Sequence, residues 1–599
     1  MKYIKSIVLS LIAAMSLTSC SDWLDINDDP NTPADAAAKV ENLLPWCQHY
    51  LVYGSACQGY RAQFICQALT ATSRTSRDGC SAQWEATSSM CTTPYQFFFV
   101  GAGPNLKPMY DKAMAEGAYH YAGASRLIRA YGFLLMADLY GEMPYTQALG
   151  ESATPAYDDG KTIYMGCLDD INEAIELFQK TQASGVVALS AGDSWNGGDV
   201  NKWLKMAYLL KARLLNNLSK KSSLYNPDEI LKALEGAQQS ISDNTTIAHV
   251  DVLENSSDIL FGDPLKASPS FSNGGMGGGF STRPTKWLYD ILTNFDGKGI
   301  EDPRADKILP WIQSKDANGN TKWTRTAGVD MSTDIRINKG PYALSRNSTD
   351  KSKDTKVRTG IPPHSWYCDV ADQKRWGDTI YVGFRSGAVG YYLSNNVLYT
   401  NDYADGAAES SSNVFLRPNS PTQWSTYAEA CFIKAEVLFK KSGGSAAFES
   451  YKAGIKASID AINSALDVWA SDKDLQSCPS FTKMSQTDID NFLSNAIGKA
   501  GDLTLEKIMT QKFIAMLYTQ TNWNDMRRHD YKDYMGWQMP YEYSQNAGSL
   551  RTIPLGKQWR RIQQCSHEIN YNKTNLEAIQ SHYADNDIWT YPVWWDTAE

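Results

Sequence analysis

The chain has 599 residues, of which 43% are apolar and 12% aromatic, with 18 Trp and 33 Tyr; it can bury a large core and is too apolar to be a disordered chain. Its formal charge is −9. A net acidic chain lacks the basic footprint that phosphate backbones select, so nucleic acid is not an expected partner.

The first predicted element is a leader. Lys2 and Lys5 precede a stretch, Ile7 to Leu17, that is apolar apart from Ser10 and Ser16. Residues 1–19 therefore read as a signal peptide, too short to persist as a bilayer-spanning helix. Leu17-Thr18-Ser19-Cys20 follows and resembles a bacterial lipobox, with cleavage before Cys20 and lipidation of its thiol. Several acyl chains hold a protein far more firmly than one. An ordinary secretory signal is the alternative, although its cleavage site would carry an A-x-A-like pattern. Asp22, Asp25, Asp28 and Asp29 form an acidic stretch similar to a surface-export signal of some lipoproteins; in other lineages an Asp two places after the cysteine marks inner-membrane retention. The expectation is an outer-membrane protein, lipid-anchored and facing outward, with residues 20–40 as a polar leash and one domain over residues 41–599.

Five cysteines fall between Cys47 and Cys91. A disulfide among them is open, and buried thiols are the favoured reading. No C-x-x-C occurs and no His stands at zinc-ligand spacing from a Cys pair, so no metal is expected.

Helical periodicity dominates two blocks. In the first, about 105–220, Tyr119, Gly123, Leu127, Ala130, Leu134 and Asp138 share a stripe; a second run covers Tyr164 to Lys180, with Ile171, Ile175 and Phe178; a third covers Asp199 to Ser219. Ile128 to Leu139 is the most apolar stretch after the leader, but it contains Arg129 and Asp138 and reads as a buried helix, not a span. The second block, about 424–530, opens at Trp424. It holds a helix over Tyr427 to Phe439, a stop at Lys441-Ser442-Gly443-Gly444, and a helix marked by Phe448, Tyr451, Ile455, Ile459 and Ile462. Paired helices joined by short Gly-bearing turns are the units of a tetratricopeptide-type array, although the strict consensus of that repeat is absent. Between the blocks, about 240–422, the texture changes. Gly274-Gly275-Met276-Gly277-Gly278-Gly279 cannot hold a helix, Asp316-Ala317-Asn318-Gly319-Asn320 reads as a tight turn, and Thr379 to Phe384 alternates like a minor strand. A loop-rich insert this long suggests function.

Several tags then recur in a recognisable order. They are Ala124-Ser125-Arg126-Leu127-Ile128-Arg129-Ala130-Tyr131 with Asp138-Leu139-Tyr140-Gly141-Glu142-Met143-Pro144-Tyr145; Gly197-Gly198-Asp199-Val200-Asn201-Lys202-Trp203 with Leu210-Lys211-Ala212-Arg213-Leu214; and Asp302-Pro303-Arg304. Near the end come Glu506-Lys507-Ile508, Gln511-Lys512-Phe513, Trp523-Asn524-Asp525-Met526-Arg527-Arg528 and Trp594-Trp595-Asp596. Together they resemble the SusD/RagB family of glycan-binding lipoproteins, in particular its second SusD-like branch. The fold this implies is all-α: a right-handed tetratricopeptide-like stack of four helix pairs carrying a loop-rich insert with minor β-structure. The function it implies is a surface receptor that captures an oligosaccharide or polysaccharide and passes it to a SusC-like TonB-dependent transporter, with no covalent chemistry and no cofactor. Read from the residues alone, Trp203, Trp523 and the Arg527-Arg528 pair serve to pack and fasten helices.

No G-x-S-x-G elbow, H-E-x-x-H pair or Walker loop is present. Asp316, Asn318 and Asn320 mimic the start of a calcium loop, but Thr321 stands where Gly is required and no Glu closes it. Catalytic residues are therefore expected to be absent, with an envelope glycoside hydrolase using paired carboxylates as the rival reading and a protein-interaction scaffold as the third. Sugar binding calls for flat aromatic faces beside planar polar groups. The candidates are aromatics in polar, non-periodic surroundings: Trp84 within Ser81 to Thr87, and Trp311, Trp323, Trp366 and Trp376 in the insert, with Arg385 near Tyr391 and Tyr392 as a fork donor. Trp84 and Arg385 lead, because the family places its glycan contacts in an early loop and in the insert. Trp287 reads as helical core.

Overall fold

In the computed structural model, the described residues are 38–71, 81–82, 84–150, 152–248, 282–309, 311–315, 318, 321–325, 343–345, 355–357, 415, 421–469, 479–539, 553–554 and 556–599. The leader, the leash and Cys20 lie outside them. The main helices are α1 Val40–Ile65, α2 Leu106–Glu116, α3 Tyr119–Tyr140, α4 Gly160–Gln179, α5 Val200–Asn217, α6 Pro227–Gly236, α7 Lys286–Thr293, α8 Tyr427–Ser442, α9 Gly444–Trp469, α10 Gln486–Asn495, α11 Leu505–Ala515 and α12 Thr521–Arg528. Among the described residues no helix is long and apolar enough to cross a membrane.

Local chemistry sets the helix ends. Side-chain oxygens of Asp159, Asp199, Asn226, Thr426, Ser485 and Thr504 accept from first-turn amides of α4, α5, α6, α8, α10 and α11, engaging donors that have no partner within the helix. Gly443 closes α8 at φ +83°, a left-handed conformation that costs a glycine little. It turns the chain straight into α9.

Packing runs along the sequence. Helix α2 lies on α3, α3 on α4, α4 on α5 and α5 on α6; α6 then meets α8, α8 meets α9, and α11 covers both. The fold is all-helical with a little sheet, and its core is continuous through both blocks.

The strands are short: β1 Leu69–Ala71, β2 Thr245–Ile247, β3 Thr282–Pro284, β4 Trp311–Lys315, β5 Thr321–Arg325, β6 Ala343–Ser345, β7 Thr355–Val357 and β8 Thr422–Ser425. Strand β2 pairs antiparallel with β8, so the two ends of the insert meet at its base. β1 pairs with β3; β4–β5 and β6–β7 are hairpins. Trp424 belongs to β8, and the helix begins at Tyr427, as the sequence pattern placed it, after Thr426 supplies the cap. The early insert is more than irregular loop. Leu288, Ile291 and Leu292 of α7, with Phe295, Ile308 and Leu309, are core residues, and Trp287 donates to the Met535 carbonyl at 2.8 Å and meets the Phe513 ring. Arg304 is fully buried; it binds Asp302 at 2.9 and 2.6 Å, Ser458 at 3.1 Å, and Gln511, riveting the insert to α9 and α11.

Candidate ligand-binding cleft

Where the two helical blocks meet, a cleft of about 130 Å³ opens between α1, α3, α5, β8 and the α11–α12 connection. That is many times the room one water needs. Helix α3 presents Tyr131, Leu134, Leu135 and Asp138, and α5 presents Leu210, Arg213, Leu214 and Asn217. Both sets follow the i, i+3, i+4, i+7 spacing of a single helix face. Tyr60, Trp424, Tyr518 and Phe415 complete an aromatic wall. Tyr131 and Trp424 lie 5.1 Å apart between ring centres, Tyr60 and Tyr518 stack at 6.3 Å with planes 12° apart, and Phe415 is 5.5 Å from Tyr518. Tyr518 holds a left-handed backbone, φ +66°. Opposite it, Gly59 leaves the space that its carbonyl occupies; a Cβ there would lie 2.1 Å from Tyr518 O.

The charges around this wall are already matched. Arg213 binds Glu429 through both prongs of its fork, at 2.6 and 2.7 Å. Asp138 accepts from Trp595 Nε1 at 2.9 Å, from Asn524 Nδ2 at 2.6 Å, and from the Tyr164 hydroxyl. Burial pushes its carboxyl above the ordinary value, against the pull of Arg527 and of these donors. Burial also raises the Tyr131 phenol to about 12, so it stays neutral. Three polar atoms of lining residues are left over: Trp424 Nε1, Gln520 Oε1 and the Tyr131 hydroxyl are buried with no hydrogen-bond partner. Gln520 Nε2 donates to Asn524 Oδ1 at 3.1 Å, which fixes the way the amide faces. Partnerless buried atoms occur elsewhere, such as Nε of Arg527 and Arg561, but those guanidinium groups are bonded through their other nitrogens. The Trp424 nitrogen is the only polar atom its side chain has.

Asp138 is the only carboxylate among the cleft's described lining residues, and it is engaged by three donors. Glycoside hydrolysis by the usual route needs two carboxyl groups roughly 5–9.5 Å apart across the bond. Among the described residues no group of three His, Cys, Asp or Glu side chains is arranged to hold a metal. Cys47, Cys66, Cys91, Cys167, Cys431 and Cys565 are buried free thiols, and Cys57 is buried as well.

The residues proposed from sequence sit elsewhere. Trp84 is a correction: it is 5% exposed, its Nε1 donates to the Ile65 carbonyl at 2.8 Å, and its ring packs against Tyr531 and Trp537 at 5.2 and 6.3 Å. A face so covered cannot receive a sugar; Trp84 is a packing aromatic. Trp311 and Trp323 stand on the β4–β5 hairpin opposite Arg325 and Gln313. Trp366, Trp376, Arg385 and Tyr391 lie outside the described residues. The cleft aromatics were missed because Tyr60 and Tyr131 stand in helical sequence, where an aromatic reads as core. Trp424, between Gln423 and Ser425 in a polar run after Pro421, carried the signal used for the other candidates. It was passed over because it stands at the opening of the second helical block, beyond the insert that holds most of the other candidates.

Two family profiles match this chain: one described as starch-binding associating with outer membrane, over residues 35–352, and one described as Susd and RagB outer membrane lipoprotein, over residues 380–596. No curated protein matches. A SusD/RagB family protein from Bacteroides thetaiotaomicron is similar in structure, with TM-score 0.61 at 17% identity over 94% of this chain and 100% of its own. So are a Bacteroidetes SusD-like protein (0.61, 19%, 94% and 100%) and a chitin-binding SusD homolog from Flavobacterium johnsoniae (0.58, 18%, 94% and 99%). At such identities the likeness is one of fold.

Proposed function

Given that this chain belongs to the SusD/RagB family of outer-membrane lipoproteins, we propose that it is a surface glycan receptor, tethered through acylated Cys20, that captures an oligosaccharide and hands it to a TonB-dependent transporter without covalent chemistry. The observation that carries this reading is the cleft. Its aromatic wall offers flat faces for sugar C–H groups, three of its lining residues carry an unpartnered buried polar atom, and the carboxylate pair of a hydrolase is missing from its described lining. The chitin-binding relative lends support for carbohydrate as the ligand class. The remaining sequence candidates, Trp311, Trp323, Trp366, Trp376, Arg385 and Tyr391, belong to this reading as further proposed glycan contacts from the insert.

The test is electrophoresis of the full-length protein through native gels cast with soluble polysaccharides, with a reducing-end assay on the same mixtures. Retardation without new reducing ends is the expected result; hydrolysis would replace the receptor by an enzyme. Mass spectrometry of the membrane-extracted protein should find Cys20 acylated at the new N-terminus, and a free thiol there would remove the anchor from the proposal.

A further inference from the structure

Resting on the receptor reading, we infer that the cleft between the helical blocks is selective for an uncharged, hydroxyl-bearing unit, such as one neutral sugar residue at the end of a captured chain, and rejects uronic or sulfated residues. The argument begins with charge. The two ionisable groups of opposite sign in the wall, Arg213 and Asp138, are each closed off by partners inside the protein: Arg213 by both oxygens of Glu429, Asp138 by Trp595, Asn524 and Tyr164. A carboxylate or sulfate entering the cleft would shed its water and meet no uncommitted cation among the described lining residues, which is costly for a buried ion. That lining therefore has no electrostatic use for a ligand charge of either sign.

The leftover atoms specify the rest. Trp424 Nε1 is a donor and nothing else; Gln520 Oε1 is an acceptor, held in that orientation by the bond from Gln520 Nε2 to Asn524 Oδ1; the Tyr131 hydroxyl can donate or accept. A buried donor, a buried acceptor and a hydroxyl beside aromatic faces suit a diol, because a hydroxyl both accepts and donates. A carboxylate can satisfy the indole and the phenol but sets its lone pairs against Gln520 Oε1; an ammonium can satisfy Gln520 and the phenol oxygen but turns its protons on the indole N–H. Sites built to bond a hydroxyl discriminate strongly, since the wrong ligand leaves their own polar groups unpaired. At about 130 Å³ the space is small beside the roughly 300–1,000 Å³ pockets of drug-sized ligands. It suits one residue, not a strand.

Calorimetric titration of the full-length protein in detergent tests this, using neutral malto-, cello-, manno- and chito-oligosaccharides against oligogalacturonides of matched length. The expected result is saturable binding of at least one neutral series, at least tenfold tighter than any uronate. Trp424→Phe, which keeps a ring and removes the N–H, should weaken the neutral ligand about fivefold, the worth of one hydrogen bond, with the melting temperature unchanged. Gln520→Leu should do the same and serves as the independent variant should Trp424→Phe disturb the fold. Neutral binding that neither folded variant alters would place the glycan elsewhere and overturn the cleft assignment while leaving the receptor reading standing. Uronates binding as tightly as neutral chains would overturn the selectivity. Absence of binding by every series would count against the cleft and the receptor reading together.

Discussion

The cleft wall and the junction directly behind it use the same kinds of residue in opposite ways. In the junction, Asp138, Asn524, Arg527, Trp595 and Tyr164 bind one another: Arg527 donates to the carbonyls of Asp138 and Arg560, each at 2.7 Å, and packs over the Trp523 and Trp595 rings at 4.2 and 4.8 Å. A chain of bonds runs from there through Asn524 to Gln520, and at Gln520 it stops with an open oxygen. Polar groups that are satisfied internally hold the helices; the oxygen left open at the end of the chain belongs to a residue that lines the cleft. Type of residue does not separate the two regions.

The comparison is broken most severely by emptying the junction. Asp138→Ala strands the Tyr164 hydroxyl, Trp595 Nε1 and Asn524 Nδ2 in the core, and three unpaired buried groups should cost about 3–5 kcal/mol, read as a lowered midpoint in urea. Trp84→Ala removes a large core ring and should cost about 3–4 kcal/mol. Glycan affinity, measured well below the new melting temperature, should stay at the parent value. A loss of affinity in that folded variant would return Trp84 to the binding surface.

A smaller effect is conditional on acid. Burial alone would raise the Glu436 carboxyl, but Arg528 and Lys440 outweigh it and hold it well below the ordinary 4.5; Lys512 and Arg528 do the same for Asp525. Both carboxyls thus bind protons less readily folded than unfolded. Their stabilisation is complete above about pH 4.5 and disappears as the pH falls toward their folded values. The parent should lose melting temperature steeply below that point. Glu436→Gln should be less stable at neutral pH and show a shallower acid slope, so that the two curves converge. Smallest in stability is the cleft itself: Gln520→Leu removes an acceptor that nothing satisfies, and its urea midpoint should stay within about 0.5 kcal/mol of the parent or rise. A large loss there would show the wall to be structural after all.

How much of this could be read beforehand depended on distance along the chain. The run from Asp199 to Ser219 became helix Val200–Asn217 with Asp199 as its cap, and the Lys441–Gly444 stop became the turn at Gly443, because period and capping are decided by neighbours in sequence. The cleft is assembled from residues 60, 131, 213, 424 and 520, which share no window. Trp84 misled for a related reason. Its polar neighbours suggested solvent, yet Gln67 ties back the Ala82 carbonyl at 3.0 Å and the indole is drawn under the 531–537 segment. Nothing within seven residues announces a partner more than four hundred residues away.

The bonds from the tail to α3 also order the molecule in time. Ile562 donates its amide to Leu139 at 2.8 Å, and Trp595 reaches Asp138, so α3 is finished by residues more than four hundred positions further along. Contacts of such long sequence separation form late and slowly. Until the segment from Ile562 to Trp595 arrives, the flank of α3 stays open to water, and a chain clipped before Trp595 can neither complete its core nor hide the surface it was meant to cover.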